Sequence, residues 1–137
     1  MSAGSSSAEG ADTPEILEEA ARIAYLDGRL DETAKLLEQA TRLPDCPPSA
    51  WQNLGLVRMD LEDYPGAIEA YSRVVDVIPL GLANRGLAYE RVGNSKRART
   101  DYETALSYFP DDVDVLASIF HRAVEVGWSA SLSGLWR

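Results

Sequence analysis

The side chains best able to do chemistry in this sequence are one histidine, one cysteine and a group of glutamates, and they do not converge. A histidine-based metal site or a Ser-His-Asp triad has only His121 to build on. On a helix following Pro110, that residue reads as a structural histidine. Cys46 lies in a loop flanked by prolines, with no neighbouring base or second thiol to activate it, and reads as an ordinary loop thiol. Glu15, Glu18 and Glu19 place several carboxylates on one helix, a pattern that suggests acid-base work or a cation site. A solvated acidic face near a helix N-terminus, favoured by the helix dipole, explains them more simply. Gly81 and Gly86 belong to a repeat pattern rather than to a phosphate-binding loop. The expectation is a chain that is not an enzyme and takes no metal or cofactor.

Composition points the same way. With 137 residues there is room for one domain or a short array of small units, and 45% hydrophobic against 26% charged residues is enough to bury a core. The net charge of -9 repels phosphate backbones, which argues against nucleic acid as a partner. No segment approaches the ~18 uninterrupted apolar residues of a membrane span, so membrane insertion is not expected. A single thiol and the absence of a charged-apolar-small opening favour a cytoplasmic setting.

The elements that must position any site are helical. Residues 1–12 are almost all Ser, Ala, Gly and acid and read as a flexible tail. Thr13 can cap a helix whose first position is Pro14, and Ile16, Leu17, Ala20, Ala21, Ile23 and Ala24 follow at helical spacing as far as Asp27-Gly28. A second helix from about Asp31 turns Leu36, Leu37, Ala40 and Leu43 inward.

This grammar repeats. A shift of 34 places Ala21 on Gly55, Leu37 on Tyr71 and Ala40 on Val74; a shift of 31 places Gly55 on Gly86, Ala67 on Ala98, Tyr71 on Tyr102 and Pro79 on Pro110. Three copies emerge, about 14–47, 48–79 and 80–110, each of two antiparallel helices. Small residues at 21, 55 and 86 let one helix approach its partner, and Trp51, Leu54, Tyr71, Tyr89 and Tyr102 supply bulk. After Pro110, Asp111 or Asp112 can start a capping helix, about 112–126, that turns Val113, Leu116, Ile119, Phe120 and Ala123 inward. Residues 127–137 read as a C-terminal tail. Its apolar stripe, Trp128, Leu132, Leu135 and Trp136, either folds onto the cap or is exposed as a docking or dimerisation patch.

On Trp51-Gln52-Asn53-Leu54-Gly55 with Ala67, Tyr71 and Pro79, and on Gly86, Tyr89, Ala98, Tyr102, Ala105 and Pro110, the sequence resembles the tetratricopeptide repeat family over residues 14–110. The resemblance implies an all-α, right-handed superhelical solenoid of antiparallel helix pairs. There are departures from the pattern. Thr33 stands where a small Ala is expected, Pro44 comes early, Arg58 replaces an aromatic and Arg85 replaces a Leu. The 31-residue step also removes about three residues of turn. We therefore expect Leu80-Gly81 to make a tight junction and the third copy's first helix to be about one turn short.

Stacked hairpins leave a concave face lined by the first helix of each copy, where a segment of another protein can lie. The stripes opposite the packing residues give Glu18, Arg22 and Tyr25, then Gln52, Asn53, Leu56 and Met59, then Ala83, Asn84, Leu87 and Glu90. The resemblance implies that Asn53 and Asn84, each two residues before its Gly, hold a peptide backbone by donating to a carbonyl and accepting from an N–H. It also implies that the carboxylate clamp some members use for chaperone tails is lacking, since Glu18, Arg22, Leu80 and Asn84 stand where its other residues would be. The function expected is a non-enzymatic adaptor or scaffold that binds a partner peptide. The alternative is a self-assembling module, or an accessory factor for assembling a larger complex. The charge asymmetry, ten acids against four bases over 1–45 and three against five over 80–110, leaves room for homo-oligomers stacked head to tail.

Overall fold

Three of the helices open on a proline, and the reason is local. Proline has no amide hydrogen to lose at a first turn, and its φ already suits the helix. In the computed structural model, which describes residues 12–108, 110–117 and 119, the elements are α1 (Pro14–Leu26), α2 (Leu30–Thr41), α3 (Pro48–Asp60), α4 (Tyr64–Ser72), α5 (Pro79–Arg91) and α6 (Ser95–Tyr108). Thr13 caps α1 as expected, its Oγ1 accepting from the Ile16 N–H at 3.2 Å. Asp63 and Asn94 cap α4 and α6 in the same way, through the amides of Gly66 and Arg97. Asp112 starts a further helical stretch over 113–117 by accepting from the Val115 N–H at 3.1 Å.

The helices pair into antiparallel hairpins, α1 with α2, α3 with α4 and α5 with α6, and each hairpin packs on the next. α1 meets α3 only lightly, so a trough opens between the first helices, with the return helices behind it. The result is an all-α, right-handed superhelical solenoid. Its core is layered: Ala21, Leu37, Leu54, Val57 and Ala70 join the first two hairpins, and Leu82, Ala98, Tyr102 and Ala105 join the third to Val115 and Ile119. Ala67 and Ala98 are wholly buried, which lets the return helices approach as the spacing predicts.

Several expectations need correcting. The junction between the second and third copies is not made by Leu80-Gly81, and α5 is not short. It runs thirteen residues from Pro79, and Gly81 is buried inside it. The missing residues come off α4, which ends at Ser72 and gives way to turns over 73–77. Pro79 is the cause: it pushes Ile78 into an extended conformation, φ -121° and ψ 107°, which cannot continue α4 but serves as the N-cap of α5.

On the capping stretch, Val113 is exposed and Val115 takes the inward place: Val113 is the first residue after the Asp112 cap, where no neighbouring helix covers it, whereas Val115 and Ile119, one turn apart, face the third hairpin. Thr33 is no irregularity either. It is buried, and its hydroxyl donates to the Arg29 carbonyl at 2.7 Å, so no polar group is stranded. Pro44 lies beyond the end of α2, where it breaks nothing.

Candidate functional site

The trough divides into two compartments that share Leu56. The first, about 460 Å³, lies between α1 and α3. Its floor is apolar, made by Ala21, Leu37 and Val57 with Thr33, and α2 supplies two of these through the gap that α1 and α3 leave open. Arg22, Tyr25, Asn53 and Leu56 stand around it. The second, about 380 Å³, lies between α3 and α5 and is lined by Leu56, Met59, Asn84 and Leu87, with Asp60, Tyr64, Tyr71 and Arg91. Both volumes suit a few side chains of a bound segment.

Eight of the eleven residues expected along the groove line these compartments: Glu18, Arg22, Tyr25, Asn53, Leu56, Met59, Asn84 and Leu87. Gln52 and Glu90 line neither compartment. Both are half-buried, and the Gln52 carbonyl oxygen lies within the structure, 3.6 Å from where a Gly81 Cβ would stand. Ala83, also expected at the groove, is 2% exposed and belongs to the core of the third hairpin. Both errors arise in the same way. Neighbouring helices close over part of each stripe, Ala83 within the third hairpin and Gln52 beside Gly81, and sequence spacing carries no record of that closure. Trp128, Leu132, Leu135 and Trp136, and likewise His121, lie outside the described residues.

Two hydrogen bonds span the gap between α1 and α3. Ser49 Oγ donates to Glu18 Oε2 at 2.7 Å near one end, and the Tyr25 hydroxyl donates to Asp60 Oδ2 at 2.7 Å near the other. The Asp60 bond, reinforced by partial burial, holds the Tyr25 phenol above its ordinary pKa.

Carboxylates dominate the first compartment. Glu15, Glu18 and Glu19 line it, and its one cation, Arg22, is engaged by Glu19 through bonds of 2.6 and 3.1 Å. That bond holds Glu19 below and Arg22 above their usual ranges. Glu18 is on the expected groove stripe, whereas Glu15 and Glu19, expected only as part of a solvated acidic face, also line the groove. The signal was present, since Glu15, Glu18 or Glu19, and Arg22 recur at one helical face.

The two arginine departures are structural rather than ligand-directed. Arg58 is mostly buried and ties three helices, donating to the Gly66 carbonyl at 3.0 Å and to Glu69 and Glu38 at 3.3 and 3.5 Å. Arg85 makes paired 2.8 Å bonds to both oxygens of Asp101. Among the described residues no group of histidine, cysteine and acidic side chains could hold a metal ion, and no helix is long and apolar enough to cross a membrane.

Solved structures share this architecture. The first tetratricopeptide repeat domain of Spaghetti (RPAP3), bound to the HSP90 peptide SRMEEVD, superposes with a TM-score of 0.70 at 16% identity, covering 84% of this chain and 94% of that one. MamA gives 0.73 at 20% identity over 89% and 73% of the two chains. PcrH from Pseudomonas aeruginosa gives 0.69 at 20% over 90% and 92%. At these identities the likeness is one of fold. No curated protein matches the sequence. Tetratricopeptide repeat models match residues 18–79 and 79–112. The repeat spacing, the paired hairpins and these matches agree, and the chain belongs to the tetratricopeptide repeat family.

Proposed function

We propose that this chain is a protein-interaction adaptor that holds an extended segment of a partner protein in the trough between its first helices. One observation carries the reading: Asn53 and Asn84, 31 residues apart in sequence, each stand in one of two compartments joined by the exposed side chain of Leu56. An amide that can donate and accept at once, set beside apolar surface, suits a backbone with alternating side chains. The acidic peptide seen on the Spaghetti domain is a poor model for the ligand here, because the cation of the first compartment is already engaged by Glu19.

Selection of a random displayed-peptide library on the folded protein tests this. Peptides that bind the wild type should lose several-fold to about tenfold in affinity on Asn53→Ala, since each amide contributes about 1 kcal/mol net. The Asn53→Ala/Asn84→Ala variant should lose more. Selected peptides that bind this double variant unchanged would remove the trough as the site.

A further inference from the structure

Resting on that reading of the trough, we propose that the segment it selects is cationic and apolar: two lysine or arginine side chains flanking an apolar one, supplied by a partner protein. The lining of the two compartments carries five carboxylates, Glu15, Glu18, Glu19, Asp60 and Glu62, against two guanidinium groups, Arg22 and Arg91. Glu19 already occupies Arg22. A concave, partly enclosed surface with an excess of one sign focuses its field on whatever enters, so an acidic segment is repelled and a basic one is drawn in.

The placement of two carboxylates adds a spacing. Glu18 is fixed by Ser49 and Asp60 by Tyr25. Ser49 and Asp60 lie on α3 eleven residues apart, or roughly 16 Å at a rise of 1.5 Å per residue. An extended segment covers that span in about five residues. Leu56 lies between the two on the same helix and is 44% exposed, with Met59 and Leu87 beside it. The bound segment thus places basic side chains near Glu18 and Asp60 and an apolar side chain against Leu56. Both carboxylates keep an oxygen that their tyrosine or serine partner does not use, so an ammonium or guanidinium group can join without displacing the existing bond.

The test uses two labelled peptides of one apolar sequence, one with lysine and the other with glutamate at two flanking positions about five residues apart, read by fluorescence anisotropy against the full chain. The lysine peptide should bind, weaken with added salt, and lose about two- to fivefold on Glu18→Gln and again on Asp60→Asn. Asp31→Asn removes the same charge from an exposed position on α2 outside the trough and should leave binding unchanged. Stronger binding of the glutamate peptide, or equal weakening by Asp31→Asn, overturns the proposal. If the displayed library yields trough-dependent peptides that are neutral or acidic, or that outlast a lysine peptide which does not bind, the charge assignment fails while the peptide trough stands. If no library peptide depends on Asn53 and Asn84, the trough reading fails as well.

Discussion

Gly55 and Tyr71 share one volume: a Cβ built on the glycine would stand 2.5 Å from Cε1 of the tyrosine ring, closer than two carbons can approach. The relationship recurs 31 residues on, where Gly86 and Tyr102 give the same 2.5 Å. In the first hairpin the corresponding pair is Ala21 and Leu37, one methyl larger on one side and smaller on the other, and both buried. Hairpin closure thus depends on the sum of the two side chains rather than on either residue.

Gly55→Ala should therefore destabilise by about 1–2 kcal/mol, the overpacking exceeding the gain in helix propensity. Tyr71→Leu alone should also destabilise, through the void it leaves. Together they recreate the Ala21/Leu37 pair, and the double variant should be more stable than the sum of the singles by about 1 kcal/mol or more. Urea denaturation midpoints of the four proteins supply the cycle; strict additivity would refute the shared volume.

Arg85 and Asp101 occupy the positions of Leu54 and Ala70 one copy earlier, a pair that is wholly apolar and buried. Asp101 is 5% exposed, and its bidentate bonds are the chief cause of the raised Arg85 pKa. Asp101→Ala strands a partly buried guanidinium and should cost about 2–4 kcal/mol. Arg85→Leu/Asp101→Ala removes both charges and restores the apolar pair, so its stability should fall within about 1 kcal/mol of wild type or above it. Thermal unfolding followed by circular dichroism decides between them, and a double variant as weak as the single would count against this account.

Glu62 has φ 62°, in the region left-handed backbones use, at the turn equivalent to Gly28 (φ 77°) and Gly93 (φ 84°). Holding a side chain there costs about 1–2 kcal/mol, partly offset by the entropy a glycine loses on folding. Glu62→Gly should raise stability by about 0.5–1 kcal/mol, visible as a higher Tm. A lower or unchanged Tm would show that the carboxylate has a compensating role.

Tyr25 and Tyr71 both bind their phenolic protons more tightly in the native state, Tyr25 chiefly through its bond to Asp60 and Tyr71 chiefly through burial. A pKa raised on folding contributes stability that is fully present below the unfolded value of about 10 and is lost as pH rises through the folded value. The protein should lose stability above about pH 10, and Tyr71→Phe should flatten that decline. Tyrosinate absorbance should reveal late-ionising phenols that titrate normally once the chain is unfolded. Simultaneous titration of all tyrosines in the folded protein would contradict this.

The sequence by itself determined the helices, their pairing and the residues that close each hairpin. Helical periodicity, proline at N1, Asx caps and the 31- and 34-residue shifts are local signals, each with a cause within a few residues or in a neighbouring copy. Most of the groove was legible for the same reason: Asn53, Leu56 and Asn84 are opposite the packing stripe of their own helices.

Tertiary structure decided the rest. It shortened α4 instead of α5, because Pro79 starts one helix as effectively as it stops another. It buried Ala83 and drew Gln52 out of the groove, because neighbouring helices close over part of each stripe. It brought Glu15 and Glu19 into the first compartment, and paired Arg85 with Asp101 and Tyr25 with Asp60. A side chain's type and phase along its own helix are written in the chain; the element it meets across a gap depends on how hairpins stack, and that follows from the sum of many contacts that no single segment encodes.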